Sequence, residues 1–431
     1  MEGPSNIAAP AAPDDLTRRI RRARGRFAAM AATYALGVLN DNFFKQAAML
    51  LAFFSAALTK EQGKSIMGIA AVVSTVPWLL FAAPAGWLAD RYSKRKVVIG
   101  AKVLELVAML IGAAGILLGD WWLILVMLFL MNLQSTVFSP ALNGSIPDLY
   151  PASYVLKANS IVKMITTSAI LIGIIVAGVC LGEEVSAAGR WRVAVGVVAV
   201  AAVGVAVSFG VPKRSAAAPR VRFPWLGPLD TLRSLYGIFR TDRLLGIVIV
   251  TDMYVWFVAV LQILVINTLG EELFGFGPIR TTWLVTAELA GVAIGGALAG
   301  KFATGGRWHR VLAPGMAVLA CAAGAMAVLP VLPAFARLWA FCGLLLVAGT
   351  AGGLLLVPLE AFFQIRPSPD RRGAVIAAAN FAGFAAMAVA GGVSSPWNLH
   401  IGPTWRFPAI GALTLPAAGL LWWALRKEGR T

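Results

Sequence analysis

The chain has 431 residues, of which 59% are hydrophobic and only 13% charged, and its mean hydropathy is +0.79. A soluble domain is nearer half apolar and a quarter charged, so this balance excludes an ordinary soluble enzyme. The net charge of +17 is also found in nucleic-acid binders, but here the basic residues fall in short gaps between apolar runs, which reads as membrane topology and excludes a nucleic-acid partner.

Taken in chain order, residues 1–26 form a basic N-terminal segment ending in RRIRRARGR. The apolar run after it continues past Asn40-Asp41-Asn42 to residue 58, too long for a signal-peptide core, so it reads as an uncleaved first span. About 20 apolar residues cross a bilayer as a helix. On that measure twelve spans are predicted, near 27–58, 65–89, 97–119, 121–147, 157–182, 191–211, 244–269, 279–302, 310–331, 334–365, 372–398 and 403–425. The longest polar gap, 212–243, divides them into a six-helix bundle over 27–211 and another over 244–425, with a short tail at 426–431. The predicted class is an all-α polytopic membrane protein. With the N-terminus in the cytoplasm, 27 Lys and Arg residues fall on the cytoplasmic side, 7 on the other, and Lys45, Lys102 and Lys163 within spans. That bias predicts cytoplasmic termini. Cys180, Cys321 and Cys342 all lie in apolar runs, where an odd number of small residues reads as packing rather than a disulfide framework.

Two stretches carry a weak internal echo. GWLADRYSKRK (86–96) follows span two, and GALAGKFATGGR (296–307) follows span eight at the equivalent place in the second set. In the first, Gly86 allows close helix approach. Asp90, at a helix end, is suited to the N-terminus of a neighbouring helix, where negative charge is favoured. Asp90 is absent from the echo.

Charge inside a span is costly, roughly 2.5–3.5 kcal/mol for an Asp or Lys at mid-span. LNDNFFK places Asp41 and Lys45 four residues apart, on one helical face where they can pair, with Asn42 beside them. Span seven carries Asp252 and Trp256; Asp252 has no basic residue one turn away, so it is either protonated or paired across a cavity with Lys45. Glu288 lies in span eight among small residues, where packing as a protonated carboxyl and ion coupling both fit. Span ten offers Glu360 and Gln364, and span four offers Asn132, Gln134 and Asn143. Lys102 and Glu105, three apart in span three, read as a structural pair near the cytoplasmic end. Lys163 reads similarly but nearer the cavity. Arg240 and Arg243 precede span seven, where the bland reading is interfacial anchoring. Two scattered histidines and no Cys/His cluster leave no metal site, and no cofactor is implied.

GWLADRYSKRK resembles the loop between spans two and three of the major facilitator superfamily. Gly86, Leu88, Asp90, Arg91, Lys94, Arg95 and Lys96 match it, and Ser93 stands in place of a second glycine. Three further stretches resemble the lysophospholipid transporter family within it: LNDNFFK; residues 138–173, with Pro147-Asp148-Leu149 and Lys157-Ala158-Asn159; and residues 352–384, with VPL, an Arg-Gly pair and AANF. Asn143-Gly144 and Asp148 depart from that pattern. The resemblance implies a major facilitator fold of twelve transmembrane helices in two six-helix halves, working by alternating access. It implies a cavity lined by spans one, four, seven and ten, and a cytoplasmic gate of Gly86, Asp90, Arg91 and Arg95 closing on span eleven near Arg372. The implied substrate is a lysophospholipid, moved between leaflets of a bacterial inner membrane. Its headgroup would meet Asp41, Asn42, Lys45, Asn132, Asp252, Trp256 and Glu360, with Asp252 and Glu288 as candidate ion-coupling groups. The partners implied are membrane lipids and a separately encoded acyltransferase, since the H-x-x-x-x-D motif of fused acyltransferases is absent; the expected state is a monomer. Two alternatives stay open on the same fold: a proton-coupled exporter of amphipathic drugs or metabolites, and a non-transporting scaffold.

Overall fold

The computed structural model describes residues 13–54, 60–182, 186–276, 278–303 and 308–428. Among them every regular element is helical: α1 (Pro13–Phe54), α2 (Lys60–Leu80), α3 (Ala82–Arg91), α4 (Lys94–Leu118), α5 (Trp121–Asn143), α6 (Ile146–Leu149), α7 (Ala152–Leu181), α8 (Ala187–Ser208), α9 (Pro228–Thr241), α10 (Arg243–Glu272), α11 (Pro278–Phe302), α12 (Leu312–Ala325), α13 (Ala334–Ile365), α14 (Arg372–His400) and α15 (Arg406–Glu428). Ten helical segments are long and apolar enough to cross a membrane, and the bent pair α2–α3 makes an eleventh. The helix of the expected first span, α1, falls short of that apolarity because Asn40-Asp41-Asn42 interrupts it, yet it packs along α7 and α8 inside the bundle.

Local chemistry sets the bends and ends. The α2–α3 pair is bent by 50° where Pro84 removes the N–H that would reach the Leu80 carbonyl and crowds that carbonyl sterically. Asp120 caps α5 by accepting hydrogen bonds from the N–H groups of Trp122 (2.8 Å) and Leu123 (3.4 Å), satisfying two otherwise orphaned donors. Two differences from the sequence reading stand out. From Pro13 on, the basic N-terminal segment is part of α1, because its Arg-rich, helix-favouring sequence runs on without a break; its residues 1–12 lie outside the described residues. The 212–243 gap contains α9, whose Thr231, Leu235 and Ile238 are buried while Leu229, Leu232, Tyr236 and Phe239 are exposed.

The apolar core falls into several clusters, one of which joins Val98 and Phe138 to Ala299 and Val357 from the far part of the chain. A second is formed by buried residues of α1, α4, α5, α7 and α8, including Phe43, Phe44 and Met127. Another is formed by buried residues from Val258 onward, around Phe341 and Phe407. The tightest helix pair is α11 with α13. A Cβ placed at Gly291, Gly295, Gly349 or Gly353 would run into the facing backbone, the small-residue packing that lets membrane helices approach closely. Gly295→Val and Gly349→Val are therefore expected to force the pair apart at about 1–3 kcal/mol or more. The readout is a lower thermal unfolding midpoint of the purified protein in detergent; an unchanged midpoint in both would contradict this packing.

Candidate functional site

Two polar clusters lie inside the bundle. The first is built on α1, α2, α4 and α5 around a cavity of about 170 Å³ lined by Tyr34, Gly37, Asp41, Trp78, Lys102, Glu105, Gln134 and Ser135, among others. The Asp41 carboxylate accepts a hydrogen bond from Ser135 Oγ (3.2 Å), and its Oδ1 is buried with no partner. Lys102 Nζ donates to Glu105 Oε2 at 2.6 Å, with both side chains 1% exposed, and Asn40 Nδ2 reaches Glu105 Oε1 at 3.5 Å. Gly37 makes room for this pair, since a Cβ there would stand 2.7 Å from Lys102 Nζ. Trp78 Nε1 donates to Asn132 Oδ1 (3.3 Å) and the Trp78 ring stacks on Phe384 of α14 at 4.0 Å.

The second cluster joins α7, α10 and α13. Lys163 Nζ pairs with Glu360 Oε1 at 3.0 Å and lies 5.6 Å from the centre of the Trp256 ring. Asp252 is buried, with Oδ1 lacking a partner. Deeper toward the basic end, Asn159 and Gln364 exchange two amide hydrogen bonds of 2.9 Å. Neighbouring residues of α14 touch both clusters: Phe384 stacks on Trp78, and a Cβ on Gly383 would stand 3.8 Å from Asp252 Oδ2. Removing Glu360 leaves the Lys163 charge, only 15% exposed, without its ion-pair partner. Glu360→Gln is thus expected to destabilise the fold more than Lys163→Met/Glu360→Leu together, which a double-mutant comparison of unfolding midpoints reads directly.

Several sequence expectations are corrected. Asp41 and Lys45 form no ion pair: Lys45 is exposed, while Asp41 turns toward Ser135. A four-residue spacing puts two side chains on one face but leaves each free to choose a better neighbour. Lys45 does not reach across to Asp252 either; the cation facing α13 and α10 is Lys163. Lys102 and Glu105 do not sit at the basic end. Lys102 is about 12 Å along α4 from Lys94, at 1.5 Å rise per residue, and the pair lines the cavity beside Asp41. Asn42 donates to the Val38 carbonyl of its own helix (2.7 Å) and packs toward Gly173. Glu288 is apart from both clusters, buried where α11 meets α13, with Oε2 lacking a partner. Trp78 and Tyr34 were missed, because an aromatic in an apolar span carries no signal until its neighbours are known.

Contacts between distant helices gather at the end of the bundle that carries the basic segments. Buried Asp90 accepts hydrogen bonds from the N–H groups of Gly373 (2.8 Å) and Ala374 (2.9 Å) in the first turn of α14. Gly86 permits this approach, as a Cβ there would lie 2.9 Å from Ala374 Cα. Lys94 Nζ and Arg372 Nη1 grip the two oxygens of Asp148 at 2.6 and 2.8 Å. Asn380 Nδ2 donates to Ser139 Oγ (2.9 Å). The echo of the loop motif sits at the matching contact, with Gly296 against Lys163 and Gly300 against Ser160 of α7. Arg91 and Arg95 take a different place from Asp90. Arg91 Nη1 donates to the Val221 carbonyl (3.0 Å) and Arg95 Nη2 to that of Phe209 (2.7 Å), so both hold the chain that follows α8.

Against known proteins, the model of the Major Facilitator Superfamily matches residues 27–391. The lysophospholipid transporter LplT of Cronobacter sakazakii is 27% identical over 350 residues, covering 80% of this chain and 81% of that protein. The protein of the same name from Salmonella newport is 28% identical over 296 residues, covering 67% and 68%. The chain's fold is similar to the crystal structure of the human organic anion transporter TETRAN, with a TM-score of 0.73 at 15% identity, covering 92% of this chain and 99% of that one. It is similar also to a bacterial homologue of the iron transporter ferroportin in an outward-facing state, with a TM-score of 0.70 at 14% identity, covering 93% and 100%.

Proposed function

The chain belongs to the major facilitator superfamily, and from that premise we propose that it moves lysophospholipids between the leaflets of a bacterial inner membrane by alternating access. The observation that carries the reading is the Asp41 cavity. A buried carboxylate oxygen without a partner faces a small polar chamber within helices that are otherwise largely apolar. Such a site matches a ligand with one compact polar head and a long apolar tail. An ammonium headgroup would give Asp41 its missing partner, and the phosphate would meet Lys102 on one side or Lys163 on the other. The named function of the LplT relatives supports the substrate class. The domain division at 212–243, cytoplasmic termini, a monomeric state and a separately encoded acyltransferase that consumes the product belong to the same proposal.

In this account the closed basic end is the cytoplasmic gate and the structure is the state open to the other side. Asp90, Gly86 and the Lys94–Asp148–Arg372 clamp hold it shut; Arg91 and Arg95 tether the central segment beside it. The test is uptake of labelled lysophosphatidylethanolamine into proteoliposomes, with glycerophosphoethanolamine, the head without the tail, as the comparison. Uptake of the first alone, unaffected by ionophores, supports the reading. Equal uptake of both, or none of either by folded protein, contradicts it. Glu288 favours one second reading, a proton-coupled exporter, because its buried Oε2 lacks a partner. That reading requires uptake to collapse with an uncoupler and in Glu288→Gln.

A further inference from the structure

Residues 212–241, between α8 and α10, carry six basic residues, Lys213, Arg214, Arg220, Arg222, Arg233 and Arg240, against one acidic residue, Asp230. The same stretch exposes large apolar side chains. Trp225 is 85% exposed, and Leu229, Leu232 and Tyr236 of α9 are 55%, 48% and 57% exposed. Those three follow one another at three and four residues, so they form one stripe along the helix. Arg233 lies four residues beyond Leu229 and Arg240 four beyond Tyr236, with the Arg240 guanidinium 4.7 Å from the Tyr236 ring centre, so basic side chains border the stripe. An exposed apolar stripe rimmed by polar groups marks a place where something docks.

The stretch is held in a fixed place. The Ala218 N–H donates to the Asp90 carbonyl at 2.8 Å. Trp87 Nε1 and Arg91 Nη1 share the Val221 carbonyl at 3.1 and 3.0 Å, and the Trp87 ring meets Phe223 edge-on at 4.9 Å. The inner face of α9, with Leu235 and Ile238, packs on α3, α10 and α14. Only Asp242 separates α9 from the membrane span α10, so the stripe stands at the height where that span begins. Arg220 and Arg222 bracket the tethered Val221. Both are exposed, and neither makes a hydrogen bond or ion pair with another described residue. Arg214, by contrast, is engaged by the Asp148 carbonyl at 3.1 Å, and Arg233 lies 3.8 Å from Asp230.

We propose that this stretch is a docking surface for the anionic lipid of the leaflet at the basic end, with the α9 stripe in the outer apolar layer and Arg220 and Arg222 on lipid phosphates. An amphipathic helix with basic residues beside its apolar face lies in the membrane interface. Lipid surrounds the start of α10 in any case, and six basic residues against one acidic complement the negative surface of a leaflet. Each basic residue close to such a surface contributes about fivefold to binding. The docked helix lies across α3 and α14, the two helices that Asp90 joins.

The test is fluorescence of the full-length protein in nanodiscs of dioleoylphosphatidylcholine with increasing fractions of dioleoylphosphatidylglycerol. Cys180, Cys321 and Cys342 are replaced by Ala, and a nitrobenzoxadiazole reporter is attached at Leu232→Cys, or at Leu229→Cys should the first not purify as folded protein. The expected result is strong quenching by a lipid-borne nitroxide, weak quenching by iodide in the water, and a docked fraction that rises with phosphatidylglycerol and saturates. Arg220→Gln/Arg222→Gln should lower the ratio of docked to undocked reporter about tenfold or more at any one lipid composition. Quenching by iodide at every composition overturns the proposal and leaves the stripe to a protein partner. Lipid quenching that ignores phosphatidylglycerol, or that is unchanged in the double variant, overturns it as well. None of these readouts passes through transport, so failure here leaves the cargo reading untouched.

Discussion

Asp41→Asn is expected to reduce lysophosphatidylethanolamine uptake in proteoliposomes by about 30-fold or more while leaving the protein folded. The substitution keeps the side chain's shape and its contact with Ser135 Oγ, which lies 3.2 Å away. It removes the negative charge beside a buried cavity oxygen that has no partner. A hydrogen bond to a charged group is worth about 1.5–3 kcal/mol, and each 1.4 kcal/mol is tenfold in affinity, so a loss near 2 kcal/mol gives the stated factor. Asp41→Glu should recover less than the full activity, since an added methylene pushes the carboxylate toward the Lys102–Glu105 pair. Normal uptake by Asp41→Asn would show that the headgroup binds elsewhere.

Asp90→Ala is expected to unlatch the basic end. The carboxylate accepts two backbone hydrogen bonds from the first turn of α14, where the helix dipole adds to the attraction. Removing both leaves two buried N–H groups without partners, a penalty of about 1–3 kcal/mol each. The balance between the closed and open forms of that end should then shift by tenfold or more. Cysteines placed on either side of the gate read this out: a reporter at Ser139 on α5 should gain reactivity toward a water-soluble maleimide added on the basic side, and transport should fall. Gly86→Val acts at the same contact through bulk, because Ala374 Cα stands where its side chain would go. Unchanged labelling in both variants would remove Asp90 from any gating role.

The helical class and the places of the helices were legible because apolar runs about 20 residues long have few alternatives. That Asp90 meets a helix N-terminus was legible from its place at a helix end, and that the helix is α14 only from the loop motif's resemblance to the superfamily. What the sequence did not convey was partner choice. Asp41 and Lys45 share a face, yet Lys45 is exposed and Asp41 meets Ser135, 94 residues away. Lys102 and Glu105 were read as peripheral because periodicity gives no depth across neighbouring helices; in the structure they share the cavity with Asp41. Asp148, seen only as a departure from a family pattern, turns out to be gripped by Lys94 and Arg372 from opposite ends of the chain. A clamp between residues 224 positions apart leaves no local trace. The break at Leu80 was within reach, because Pro84 follows by four, but it needed the helix to be drawn as two pieces.

The central claim is that the Asp41 cavity receives a lysolipid headgroup, and photocrosslinking tests it most directly. A lysophosphatidylethanolamine carrying a diazirine beside its phosphate would be bound to the purified protein, activated, and its adducts mapped by mass spectrometry. The account predicts adducts on the α1 and α5 peptides containing Asp41 and Ser135, displaced by excess unlabelled lysolipid and absent in Asp41→Asn. Adducts confined to peptides that do not line the interior cavity, or unaffected by Asp41→Asn, would contradict it.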